Sequence, residues 1–312
     1  MSFTTEVKAE ISINELHECC ARAQLSALIQ MCASLSLTSQ GMALEIKSEN
    51  VNTAKRILKL LKERYQVSAQ LSVMRKMKLK KNNIYILRVN AFASDILKDL
   101  QIMDESGLRF HPHKTMLQKE CCARAYLAGA FLASGSVNSP QTANYHLEIV
   151  ANSKSQADFL SALMKRFALP AKYIHRRNQE VIYLKASDKI SDFLRCVGAS
   201  DALFAFEDSR IQRDFMNSLT RLDNCELANE MKSISAGKKQ LEDIAWIETY
   251  RGLDTLPQKL QEAAVLRRQN PEASLNELCD AYYEQTGETI SKSGMKHRLA
   301  KLKELASQYR NE

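Results

Sequence analysis

Glu18-Cys19-Cys20-Ala21-Arg22-Ala23 and Glu120-Cys121-Cys122-Ala123-Arg124-Ala125 are one hexapeptide written twice. The match continues in the same register, Leu25 to Ala33 running against Leu127 to Gly135. Leu44-Glu45-Ile46 returns as Leu147-Glu148-Ile149, and Ala54, Ile57, Leu60 and Leu61 return as Ala157, Leu160, Leu163 and Met164, shifted by one further residue. A single insertion in a loop explains the shift. Each copy then carries a β-like run, Ile84 to Val89 or Val181 to Lys185, followed by a second apolar helical stretch. The unit reads helix, strand or strands, helix, strand, helix. A duplicated unit of about a hundred residues sets the architecture.

The opening helix of each copy is rich in small residues: Ala125, Ala128, Gly129 and Ala133 in one, Ala23, Ser26, Ala27 and Ala33 in the other. Such residues let two helix backbones approach closely, a property shared with any buried helix pair. Leu127 to Gly135 resembles the LAGLIDADG signature of homing endonucleases, with the first copy a weaker match. The resemblance implies an α+β fold in which two signature helices pack about a pseudo-twofold axis and carry saddle-shaped sheets. It also implies an acidic residue near the end of each helix, where a carboxylate pair holds a divalent metal for phosphodiester cleavage. Here those positions are Cys32 and Ser134, and no Asp or Glu lies between Glu18 and Glu45 or between Glu120 and Glu148. A thiol and a hydroxyl are poor ligands for a hard cation. No catalytic residue is assigned, and a nuclease-like scaffold without nuclease chemistry is expected.

The 312 residues are 45% hydrophobic, enough for about two domains. A formal net charge of +8 favours polyanionic partners, weakly by itself. No apolar run approaches the length of a membrane span, and the N-terminus lacks the pattern of a secretory signal. A cytoplasmic, nucleoid-associated location is expected. Of the eight cysteines, four form adjacent pairs within helices, where neighbouring side chains diverge, so they read as free thiols rather than a disulfide framework. There is no CxxC or HExxH, and His111 and His113 flank Pro112 in what reads as a polar linker. No metal and no cofactor are assigned. Neither GxSxG, GxGxxG nor a Walker loop occurs.

Arg75 to Lys81 alternates Lys76, Lys78 and Lys80 with Met77 and Leu79, which places the ammonium groups on one face of a strand. The second copy has Lys172, His175, Arg176 and Arg177 in the equivalent place. Two readings stand side by side: a secondary nucleic-acid surface that supplies salt-dependent affinity, or edge strands guarded against aggregation by charge.

After about residue 217 the repeat stops. Residues 238 to 251 read as a helix closed by Gly252, and Pro257 opens another that ends at Asn270-Pro271. Ser274-Leu275-Asn276-Glu277 is a capping box. Its helix shows Leu275, Leu278, Cys279 and Tyr282 on one face. Thr286-Gly287-Glu288 makes a turn, and Ser291 can cap a further helix through Lys303. Helix, short turn with glycine, helix is the pattern of a DNA-binding helix-turn-helix. In the second helix Met295, Leu299 and Leu302 recur at i, i+4 and i+7 and point inward. Ser291, Lys292, Ser293, Lys296, His297 and Lys301 are left to face DNA, and Arg298 can bind guanine or phosphate. An ordinary amphipathic helix with a solvated lysine face has the same periodicity.

Taken along its whole length, the chain resembles the WhiA family of bacterial regulators. The match is carried by Ser2-Phe3 with Glu6-Val7-Lys8, the duplicated Cys-Cys-Ala-Arg segments, Asn224-Cys225-Glu226 with Ala228-Asn229, Leu256-Pro257, Arg267, Ser274-Leu275, Ser291 to Gly294 and His297 to Leu299. Lys296 stands where a shorter polar residue such as Asn is the family's expected choice. The resemblance implies a non-enzymatic, sequence-specific regulator that binds double-stranded promoter DNA, linked to cell division and chromosome segregation and, in filamentous relatives, to sporulation. A protein partner is allowed and a membrane is not expected. The expected division is 1–112 and 113–217 for the two repeats, 218–237 for a linker, and 238–312 for a helical domain with its helix-turn-helix at about 274–307. Two rivals remain: an interaction protein of the division machinery that does not bind DNA, and a metal-dependent nicking or RNA-processing enzyme.

Overall fold

The computed structural model describes residues 2–38, 41–75 and 83–311. The chain divides into two compact units, Met1–Gln212 and Arg213–Glu312. The boundary falls inside one long helix.

The first unit begins with α1 (Phe3–Ile13), a helix that the sequence reading did not place. Its N-cap Ser2 accepts a hydrogen bond from the Thr5 amide. Two copies of one arrangement follow. The first is α2 (Glu18–Cys32), β1 (Ala33–Thr38), β2 (Gly41–Ser48), α3 (Val51–Tyr65), β3 (Gln70–Arg75), β4 (Asn83–Val89) and α4 (Ala93–Asp99). A two-stranded ribbon, β5 (Met103–Asp104) with β6 (Gly107–Leu108), leads to the second: α5 (Glu120–Ser134), β7 (Gly135–Val137), β8 (Leu147–Ala151), α6 (Lys154–Lys165), β9 (Lys172–Arg176), β10 (Gln179–Leu184) and α7 (Ser187–Val197). Each copy forms a four-stranded antiparallel sheet of the same order, β1-β2-β4-β3 and β7-β8-β10-β9.

Register decides which side of each sheet is covered. Leu44 faces Val89 and Ile46 faces Leu87 across β2 and β4, as Leu147 faces Leu184 and Ile149 faces Ile182 across β8 and β10. These residues are buried, so one face of each sheet packs on helices. Glu45 and Glu148, equivalent in the repeat, alternate with them on the opposite face.

The centre of this unit is the pairing of α2 with α5. Ala23, Ala27, Ala123 and Ala130 are completely buried there. The small residues permit an approach so close that a Cβ on Gly129 would stand 2.5 Å from the Gln24 carbonyl oxygen and 2.9 Å from Ala27 Cβ. Only glycine fits. Polar groups here are bonded: Tyr126 donates its hydroxyl across the repeats to Gln30 Oε1 at 2.5 Å, and within the first copy Arg56 Nε donates to Gln24 Oε1 at 2.7 Å.

The stretch 218–237, expected as a linker, is part of α8 (Ser200–Tyr250), a helix of 51 residues. Between Ser200 and Tyr250 there is no proline and only one glycine, Gly237, so nothing local breaks the helix. Its middle is exposed on all sides, which removes the apolar periodicity by which a helix is recognised in sequence.

The second unit continues with α9 (Gln258–Gln269), α10 (Leu275–Thr286) and α11 (Lys292–Asn311). Ile244 and Ile247 of α8, Ala263, Ala264 and Leu266 of α9, Leu278 and Tyr282 of α10, and Met295, Leu299, Leu302 and Ala306 of α11 form its core. Among the described residues, no helix is long and apolar enough to cross a membrane.

Candidate nucleic-acid interface

Capping fixes where α10 begins and ends and where α11 begins. The Ser274 amide donates to Glu277 Oε2 at 2.6 Å and the Glu277 amide donates to Ser274 Oγ at 3.3 Å, closing a capping box. Those bonds hold the Glu277 carboxyl below its ordinary range, the Ser274 backbone bond being the leading cause. Gly287 ends α10 with φ of 73°, a left-handed conformation that glycine adopts without strain. Ser291 Oγ accepts from the Gly294 amide at 3.1 Å and so caps α11. Upstream, Arg267 is buried and holds the connection between α9 and α10, donating from Nη1 to the carbonyls of Ala273 at 2.6 Å and Asn270 at 3.2 Å.

Inward residues of α11 fall at Met295, Leu299, Leu302 and Ala306, so the helix runs one turn of core contact beyond Lys303. Ser291, Lys292, Ser293, Lys296, His297 and Lys301 are exposed. Arg298 differs from them. Its guanidinium carbon lies 4.9 Å from the centre of the Tyr282 ring, and its Nη1 lies 3.5 Å from Glu262 Oε2. Tyr282 in turn donates its hydroxyl to Glu262 Oε2 at 3.0 Å. Arg298 is thus engaged by α9 and α10. Helical spacing could not reveal this, because the partner residues belong to other helices. Lys301 carries a local ion pair with Glu304 at 2.9 Å.

Of the possible secondary surface, Lys76, Lys78 and Lys80 lie outside the described residues. Lys172, His175 and Arg176 stand exposed on β9, and Arg177 follows at the hairpin tip, where Arg177 and Asn178 both have positive φ (52° and 59°). That conformation is a type I′ turn, favoured by the twist of the flanking strands. Arg176 reaches Glu148 at 3.7 Å and His175 reaches Glu180 at 3.2 Å, so carboxylates offset part of the strand's charge.

Cys32 and Ser134 end α2 and α5. Ser134 Oγ donates to the Val150 carbonyl at 2.6 Å. Burial pushes the Cys32 thiol up to about 11, against the attraction of the nearby Lys8 ammonium. Lys8 comes from α1, is itself buried, and is held down to about 8 by desolvation. Thr4, Lys8, Met31, Cys32 and Ala133 line one recess. Lys47 and Glu49 also line it, so a single carboxylate with two lysines beside it stands where a divalent ion requires paired carboxylates. Sequence reasoning had noted the missing acids but not that α1 brings in Lys8.

One grouping was missed. Neighbouring cysteines diverge on a single helix, as expected, yet α2 and α5 bring Cys19, Cys20, Cys121 and Cys122 together, their sulfurs all within 4.8 Å of one another. The reading of these residues as separate thiols considered each helix alone.

Three family models match the chain in sequence: the WhiA N-terminal LAGLIDADG-like domain over 18–103, the WhiA LAGLIDADG-like domain over 123–216 and the WhiA C-terminal HTH domain over 219–306. A relative named probable cell division protein WhiA, from Bacillus cereus (strain B4264), is 46% identical over 311 residues, 99% of this chain and 98% of its own. Its counterpart in Bacillus licheniformis is 46% identical over 312 residues, 100% of this chain and 98% of its own. Among solved structures, full-length WhiA from Thermatoga maritima superposes with a TM-score of 0.59 at 21% identity, covering 99% of both chains. An isolated N-terminal LAGLIDADG domain of WhiA does so with 0.51 at 19% identity, covering 63% of this chain and 90% of that one. With two LAGLIDADG-like repeats, a C-terminal helix-turn-helix and relatives of this identity along its whole length, the chain belongs to the WhiA family.

Proposed function

We propose that this protein is a sequence-specific, double-stranded-DNA-binding transcriptional regulator that acts in cell division and chromosome segregation from the nucleoid in the cytoplasm, without catalytic activity of its own. The observation that carries this reading is α11. Its capped N-terminal turns expose Lys292, Ser293, Lys296 and His297 together, while the apolar row beneath is fully used by the core. A helix placed so can enter the major groove with its first turns at the base edges. Lys292 and Lys296 supply phosphate or base contacts, Ser293 and His297 hydrogen bonds, and Ser291 and Lys301 flank them. Arg298 acts as a positioning residue that fixes α11 on α10.

The scaffold of residues 1–217 contributes a secondary, sequence-independent surface through Lys172, Arg176 and Arg177, with Lys76, Lys78 and Lys80 of the first repeat as their counterparts. The relatives' name as probable cell division proteins supports the biological setting. Lys8 beside Cys32 supports a non-enzymatic scaffold.

The test is a titration of promoter fragments with the full chain and with its K292A/K296A variant, at two salt concentrations and with Mg²⁺ present. The variant is expected to lose at least tenfold affinity and to show a shallower salt dependence, each lost phosphate contact lowering the slope by about 0.9, with the DNA recovered intact. Equal binding by both chains, absence of salt-dependent binding, or cleavage of the DNA each rejects this reading.

A further inference from the structure

We propose that Cys19, Cys20, Cys121 and Cys122 form a tetrathiolate site for a single soft divalent cation, Zn²⁺ by its chemistry, which ties the two repeats together at the start of their central helices.

The argument begins with position. Each cysteine pair occupies the second and third residues of its helix, α2 or α5, and the two helices pack side by side, so four thiols meet from two chain segments about a hundred residues apart in sequence. All four sulfurs lie within 4.8 Å of one another, and the eight cysteines of the chain are free. A tetrahedral ion with Zn–S bonds near 2.3 Å places its sulfurs about 3.8 Å apart. The gap between that spacing and the observed limit is about an ångström, within reach of side-chain rotation. An iron–sulfur cluster would distribute the same four sulfurs over several irons and hold them farther apart than one ion does. Thiolates select a soft ion over Mg²⁺ or Ca²⁺.

The surroundings suit the charge. Four thiolates around a divalent ion carry a net charge of −2, and the site stands at two helix N-termini, whose unpaired amides and dipoles favour negative charge. Lys119 stands at the N-cap of α5 and lines a recess with Cys19 and Cys122. One flank of the cluster opens on a recess lined by Cys19, Cys122, Arg22, Arg64 and Lys119. The other flank opens on a second recess lined by Cys20, Cys121 and Arg124. An ion can therefore reach the sulfurs from solvent, past Glu18 on the first side and Glu15 and His17 on the second.

On binding, each thiol releases its proton to solvent as its sulfur–metal bond forms, so affinity rises with pH. No electron transfer is involved.

The test uses the full-length chain, purified reduced and without a tag, and titrated with Co²⁺ and then Zn²⁺. One Co²⁺ per chain with the visible absorption bands and sulfur charge-transfer band of a tetrahedral thiolate site, displaced by one Zn²⁺, is expected. C19S and C121S should each lose that spectrum, whereas C225S, at an exposed cysteine of the other unit, should retain it. Zn²⁺ should also raise the melting temperature of the wild-type chain over that in a chelator. The proposal is overturned if the reduced wild-type chain gives no tetrahedral spectrum, if the spectrum survives in the C19S/C121S double variant, or if the four sulfurs are isolated as disulfides under reducing conditions. The wild-type titration decides the matter even where a variant fails to fold. The readout involves no DNA, so it stands or falls apart from the regulatory function.

Discussion

The Arg298 guanidinium lies against the Tyr282 ring at 4.9 Å, with Glu262 at 3.5 Å from its Nη1, so this cation of α11 holds the helix in place on α9 and α10. Its side chain is 16% exposed, which is too little for a guanidinium that also grips a base without first leaving its partners. Arg298→Ala is expected to lower the stability of the helical unit by about 1–2 kcal/mol. Urea unfolding followed by circular dichroism measures this, and an unchanged midpoint counts against the assignment. A DNA-contact role would instead leave stability alone and change base preference.

Arg267 carries a comparable burden in the same unit. Its guanidinium is buried and donates to two loop carbonyls between α9 and α10. Arg267→Ala leaves those carbonyls without their charged donor and opens a cavity, at a cost on the order of 2–4 kcal/mol. Because the loop places Ser274, the capping box should loosen too. Amide exchange at Glu277 would report the effect, rising in the variant relative to wild type.

Gly129→Ala tests the helix pair. The new methyl meets the Gln24 carbonyl oxygen at 2.5 Å and Ala27 at 2.9 Å, and the first contact is backbone, which cannot rotate away. Destabilisation of about 1–3 kcal/mol is expected from overpacking, read as a lower melting temperature of the first unit. A neutral result would mean that the helices pack less closely than described.

Lys8 gives the pH dependence. Desolvation lowers its pKa from 10.5 to about 8 in the folded state, so the unfolded chain binds the extra proton between those values. Stability therefore rises with pH through this window, and the penalty is full below about 8. Lys8→Met removes the penalty and should be the more stable chain at pH 7 by on the order of 2–3 kcal/mol. The advantage should shrink by about 1 kcal/mol by pH 9. Measurements kept at or below pH 9 largely avoid the opposing titration of Cys32, which burial raises from 9.0 to about 11 and which is coupled to Lys8. An advantage that stays constant with pH would show that Lys8 is not desolvated.

What could be read from the chain follows from how each signal is encoded. The alternation of Leu44 and Ile46 with Glu45, the Ser274 and Glu277 box and the inward row Met295, Leu299 and Leu302 all depend on residues within a few positions of one another. Local backbone geometry alone gives them meaning. Of the long α8 only the end, from residue 238, reads as helix in the sequence, because its exposed middle carries no apolar stripe.

The sequence by itself determined the repeat, its strands and helices, the loss of the paired acids at Cys32 and Ser134, and the capped helix that presents Lys292 and Lys296. Tertiary structure alone decided that Cys19 and Cys20 meet Cys121 and Cys122, that Lys8 from α1 settles beside Cys32, and that Arg298 turns to Tyr282 and Glu262. The physical reason is the same in each case. A residue's face on its own helix follows from a period of 3.6, but what stands opposite that face is set by how separate helices pack, and small residues such as Gly129 set how near they come.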